Sequence, residues 1–215
     1  MNDTISLLTY AITIYKSELS TNFIELDRIK SAVTDVTNET DLIISQFPQF
    51  IVIAAPTSQI TVAIQPGGIS ISNGSTEISN ASAKQLANLA RKINDIAKER
   101  LSNYVYTIGC VLELPKARDL TAYLNADKLL ESGLIDDKNK LDYAALTWAE
   151  GSDSGRSTVS ITPKLDSDYN HTTQFDMQRM VRVKSQSLPP ITKLSQELMK
   201  HYKDCAEIRK KLSKR

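Results

Sequence analysis

One stretch of the chain changes its period abruptly, and that change limits what it can fold into. From Ser82 to Leu101 apolar residues recur at helical spacing, at Leu86, Leu89, Ala90, Ile93, Ala97 and Leu101, which commits one face of a long helix to burial. From Tyr104 the period is two. Tyr106, Ile108, Cys110, Leu112 and Leu114 alternate with Thr107, Gly109, Val111 and Glu113, as in a strand with one buried face. Ser82 is placed to cap the helix, and Arg100 lies near its negative end. A long helix running directly into a strand divides the chain into two passes of one plan.

The first pass opens with a strand over 7–15, with Leu8, Tyr10, Ile12 and Ile14 on one face. Ser20-Thr21-Asn22 is a helix start, followed by the stripe Phe23, Leu26, Ile29 and Val33. Strands at 50–54 and 60–65 follow, and Pro66-Gly67-Gly68 forms a type II turn in which glycine takes the positive φ. Ile69 and Ile71 return as a partner strand before the long helix. The second pass repeats the order: a strand at 104–114, then a helix at 117–130 on Leu120, Tyr123 and Leu124. A polar loop at 136–140 follows, with strands at 143–149, 158–162 and 173–183. Pro189-Pro190 starts the last helix, whose stripe is Ile191, Leu194, Leu198, Tyr202, Cys205 and Leu212. The expected architecture is α+β: two tandem pseudo-repeats, 1–102 and 103–215, joined in one domain as a single antiparallel sheet backed by four helices.

This order, strand–helix–strands–long helix taken twice, resembles the TATA-box-binding-protein fold. The segment from Ala55-Pro56-Thr57-Ser58 to Gly67-Gly68-Ile69-Ser70-Ile71-Ser72-Asn73-Gly74 is similar to that family's strand–glycine turn–strand, and Tyr106-Thr107-Ile108-Gly109-Cys110-Val111 to the start of its second repeat. The resemblance implies a curved sheet with its helices on the convex side. It does not extend to the family's DNA-kinking phenylalanines, because Ile64-Gln65 and Ile161-Thr162 stand where such wedges would be. No DNA-contacting role is therefore carried over.

Nothing in the chain assembles the groups an enzyme or cofactor site needs. The two histidines, His171 and His201, are isolated, and His201 flanks its helical stripe as a surface residue would. Asp166-Ser-Asp168-Tyr-Asn170 resembles the opening of a calcium loop, but His171 replaces the glycine and Met177 the bidentate glutamate. Gly151-Ser-Asp-Ser-Gly155 has Asp153 where a nucleophile elbow needs serine. No phosphate-binding glycine loop or Cys-x-x-Cys is present, so the expectation is no cofactor, no metal and no catalysis. Cys110 and Cys205 fall on apolar stripes and read as buried free thiols. A formal charge of +1 excludes a strong overall pull towards nucleic acid or anionic lipid, and no apolar run is long enough to span a bilayer. With no leader pattern at the N-terminus, a cytoplasmic protein is expected.

Function is expected on a surface. If one face of the sheet packs on helices, the other meets solvent or a partner. Its residues read as small and hydroxylic: Thr61, Gln65, Ser70, Ser72, Thr107, Ser160 and Thr162, together with Thr9, Ala11, Thr13, Ala63 and Gly109. Arg179, Arg182 and Lys184 form a basic cluster beside it, and Arg209, Lys210 and Lys211 another in the tail. These residues point to a module that engages a macromolecule, protein or nucleic acid. The alternative is an assembly protein that covers its open face with its own copies as a homo-oligomer.

Overall fold

The computed structural model describes residues 6–20, 25–113, 145–165 and 171–213. Within them the chain runs β1 (Ser6–Lys16), α1 (Leu26–Thr37), β2 (Ile43–Phe47), β3 (Phe50–Ala55), β4 (Ile60–Gln65), β5 (Gly68–Asn73), α2 (Asn80–Ile96) and β6 (Leu101–Glu113). It continues through β7 (Leu146–Ser152), β8 (Gly155–Leu165), β9 (His171–Lys184) and α3 (Ile191–Ser213). The helix expected at 117–130 and the loop at 136–140 lie outside the described residues.

All nine strands form one antiparallel sheet in the order β2-β3-β4-β5-β1-β6-β9-β8-β7. The fold is α+β, and strands from either side of residue 102 meet at its centre, where β1 pairs with β6 from Ser6↔Val111 to Lys16↔Leu101. Alternation assigns the faces. On β1, Tyr10, Ile12 and Ile14 are fully buried, and their cross-strand partners Ile71 and Ile69 on β5 and Ile108, Tyr106 and Tyr104 on β6 are buried with them. This face continues through Ile53, Val62 and Ile64 on one side and Met177, Phe175, Val159 and Ile161 on the other. It packs on Ile29 and Val33 of α1, Leu86, Leu89 and Ile93 of α2, and Leu194 and Leu198 of α3 in one hydrophobic core.

Local chemistry moved several boundaries. A register shift between Leu7 and Thr9 turns Leu7 into the core and leaves Leu8 48% exposed, so Leu8 is not on the face of Tyr10. Ser79, not Ser82, caps α2: its hydroxyl accepts from Ser82 N at 3.0 Å while Ser82 Oγ accepts from Ser79 N at 3.0 Å. The helix stops at Ile96, so Arg100 and Leu101 lie beyond it, and Leu101 begins β6. Gly67 has φ +80°, as the Pro66-Gly67 turn requires. At the end of α1, Asn38 takes the left-handed conformation (φ 61°) and its N–H closes on Thr34 O at 2.7 Å. Strand β2 has no signature in the sequence, because four of its five residues are exposed and no alternation marks it.

A buried lysine ties β1 to the end of α2. Lys16 is 3% exposed, and its ammonium donates to the carbonyls of Asn94 (3.2 Å), Glu99 (2.8 Å) and Ala97. Three donors meet three carbonyl oxygens at the negative end of a helix, the arrangement that best offsets desolvation of the charge. Burial lowers its pKa, against the pull of Glu99 and Asp95. Lys16→Met is expected to cost about 2 kcal/mol, since it orphans helix-terminal carbonyls and removes charge-assisted bonds. Urea unfolding at neutral pH measures this, and an unchanged midpoint would contradict it.

Candidate functional site

The face of the sheet away from the helices is covered by no described helix, and the register resolves it into rows. One row crosses all nine strands: Ser45, Val52, Ala63, Ser70, Thr13, Val105, Arg182, Arg156 and Gly151. The next runs Ile43, Ala54, Thr61, Ser72, Ala11, Thr107, Met180, Thr158 and Ala149. On the other side of the first row, Gln65 and Tyr15 flank Gly68, and Tyr15 is followed by Asn103 and Lys184. Ser160 and Thr162 follow on β8, opposite Gln178 and Asp176. The hydroxylic and small residues read from the sequence (Thr61, Gln65, Ser70, Ser72, Thr107, Ser160, Thr162) therefore share one face. Some are bonded to each other, as Thr13 Oγ1 donates to Ser70 Oγ at 3.1 Å.

The basic residues divide. Arg182 and Lys184 are exposed on this face, and Arg156, which the sequence reading did not single out, stands directly across from Arg182. The Arg182 guanidinium lies 5.7 Å from the centre of the Tyr15 ring. Gly155 lets β8 approach here, since a Cβ at that position would run into the Arg182 carbonyl oxygen. No carboxylate pairs with Arg156, Arg182 or Lys184 among the described residues, and none stands in the row of Arg156 and Arg182. Two like charges directly opposed on neighbouring strands are destabilising unless an anion lies between them. Only the alternation of β9, applied to a partner on β8, would have found Arg156.

Arg179 does not belong to that cluster. Strand alternation turns it to the helix side, where it pairs with Asp204 of α3 at 3.1 Å and its side chain is 17% exposed. Arg209, Lys210 and Lys211 ride on α3, on the helix-bearing side and so away from Arg182 and Lys184. Arg209 is half-buried and engaged in a contact of its own, and Lys211 lines a groove of about 410 Å³ with Trp148, Arg179, Asp204, Glu207 and Ile208.

Near that groove, α3 holds a buried polar cluster. His201 is 9% exposed rather than a surface residue; its ring lies 5.1 Å from that of Tyr106, whose hydroxyl donates to Glu197 at 2.9 Å. Burial and the Arg179 charge lower the His201 pKa, while Asp204, 3.7 Å from Nδ1, acts in the opposite sense. The Tyr106 phenol is driven up by burial. Cys110 and Cys205 are both buried free thiols; the Cys205 thiol beside it and burial raise the Cys110 pKa. Among the described residues no three metal-ligating side chains gather, and no helix is long and apolar enough to cross a membrane.

Because burial lowers the His201 pKa in the folded protein, the unfolded state binds the proton first as pH falls. Its contribution to stability is full above the unfolded value and is lost through the window below about pH 6.5, towards the folded pKa. Replacing it by glutamine should flatten the pH dependence of the urea midpoint there. An equal slope in both proteins would contradict this.

No protein-family model matches the chain, and no curated protein is similar to it in sequence.

Proposed function

We propose that this protein is a non-enzymatic binding module whose open sheet face takes an extended single strand of nucleic acid, with the backbone phosphates held at the flank formed by Arg156, Arg182 and Lys184. One observation carries the reading: two arginines opposed across β8 and β9 with no carboxylate to separate them among the described residues, beside a lysine and a tyrosine ring. A phosphate diester supplies the missing anion and accepts bidentate bonds from guanidinium groups. The Tyr15 ring offers a base a surface to stack on, and the Thr and Ser rows offer hydroxyls without charge. A largely uncharged platform with one basic flank favours a single strand over a duplex, whose backbones would need cations on both sides.

The twofold plan of the fold belongs to the same reading. Outward from β1 and β6, each side of the sheet meets first the last strand of its own half, then the strand before it, and each half ends in a long helix. That order supports two tandem repeats, 1–102 and 103–215, fused on the plan of the TATA-box-binding-protein fold. The charge then departs from the repeat, because among the described residues the basic flank lies in the second half alone.

Fluorescence anisotropy with labelled single-stranded DNA and RNA at low salt tests the function. Three phosphate contacts predict a slope of about −2 for log affinity against log salt. Reversing Arg156, Arg182 and Lys184 together to glutamate should weaken binding by about 100-fold or more, and reversing Lys210 and Lys211 should not. Absence of binding to either strand at low salt, or loss of binding only with the α3 reversals, would overturn the proposal; capture of an acidic peptide in place of nucleic acid would overturn it in favour of a protein partner.

A further inference from the structure

Beyond nucleic-acid binding, we infer that the outer edge of β2 is an interface for a second copy of this chain, which extends the sheet by antiparallel β2–β2 pairing about a twofold axis at Ser45. β2 ends the sheet, with no described strand on its outer side. Its sequence, Ile-Ile-Ser-Gln-Phe, carries no charge, proline or bulge, although those are the devices that ordinarily keep an edge strand from pairing. Ile43 is 60% exposed, Phe47 52%, Phe50 40% and Ile44 38%, a concentration of large apolar side chains at one edge. Phe47 and Phe50 stack on each other, centroids 4.5 Å apart and planes within 9°, which holds both rings in place before any partner arrives.

The occupant is identified by symmetry and charge. With Ser45 on the twofold axis, Ile43 stands opposite Phe47 of the other copy, and Ile44 opposite Gln46. Beyond the strand, Asp41 lies towards the Pro48-Gln49 turn of the other copy, so no like charges confront each other. On the open face the two stacked Phe47–Phe50 pairs and the two Ile43 side chains would close into one apolar cluster. A pairing through one five-residue strand is small for a specific complex, so the dimer is reversible and concentration-dependent. It leaves the rows around Tyr15 and Arg182 uncovered and gives one sheet with a basic flank at each far end.

Sedimentation velocity across micromolar concentrations tests the pairing. The wild type is expected to dimerise. I43K/F47K places lysine opposite lysine and should weaken association at least about tenfold. I43E/F47K places glutamate opposite lysine twice and should restore it. In parallel, S45C should form a disulfide-linked dimer under mild oxidation, because two residues facing each other across antiparallel strands have Cα atoms about 5 Å apart. The native thiols are buried, and Q46C, which faces Ile44 of the other copy, should not cross-link. A wild type that stays monomeric would overturn the inference. So would an I43K/F47K protein that dimerises as the wild type does, or a dimer in which S45C fails to cross-link. A non-dimerising variant that still binds single strands separates this inference from the proposed nucleic-acid site.

Discussion

The pairing of β1 with β6 is the contact on which the rest of the structure depends. Each strand belongs to a different half of the chain, and the two lie side by side over nearly their whole lengths. Their inner faces place Tyr10, Ile12 and Ile14 against Ile108, Tyr106 and Tyr104, all buried under α2 and α3. Fully burying side chains of this size contributes about 1.5–3 kcal/mol each. Separating the strands would expose these residues and cut the sheet in two. Each half would then show a long unpaired edge at its middle, the arrangement most open to wrong pairing. The join also extends the open face: a row of side chains crosses nine strands only because the two halves share a ladder.

Electrostatics divides the two sides of the sheet. On the helix side, charges meet partners within the fold: Lys16 the carbonyls at the end of α2, Arg179 the Asp204 carboxylate, and Glu197 the Tyr106 hydroxyl. On the open side, Lys164 has Asp176 at 3.6 Å, but Arg156, Arg182 and Lys184 have no carboxylate partner among the described residues. A sheet that pairs its charges elsewhere and leaves three cations together at one flank carries a cost that a bound anion would relieve.

Much of this was legible in the sequence, and the limits have physical causes. The open face could be read because period-two alternation runs through β4, most of β5 and the centre of β6, where one side is fully buried; Thr61, Ser70, Ser72 and Thr107 follow from it directly. The same rule applied to β9 separates Arg179 from Arg182, three residues apart and so on opposite faces, but proximity in sequence grouped them. Arg156 escaped because its role depends on strand register, which is set by tertiary pairing. The burial of His201 is not legible in its helical spacing, because a helix flank can be covered by another element, here by Tyr106 of β6. β2 had no alternation to read, since an edge strand at the margin of a core has no fully buried side.

The most direct test of the account is backbone chemical-shift mapping during titration with a short single-stranded oligonucleotide. The account predicts that shifts concentrate on the amides of Thr13, Tyr15, Val105, Arg156, Arg182 and Lys184, neighbours across four strands of the open face. Amides of α3 around Lys210 and Lys211 should stay unmoved. Shifts confined to α3 and the groove at Trp148, with the rows of the open face silent, would contradict it.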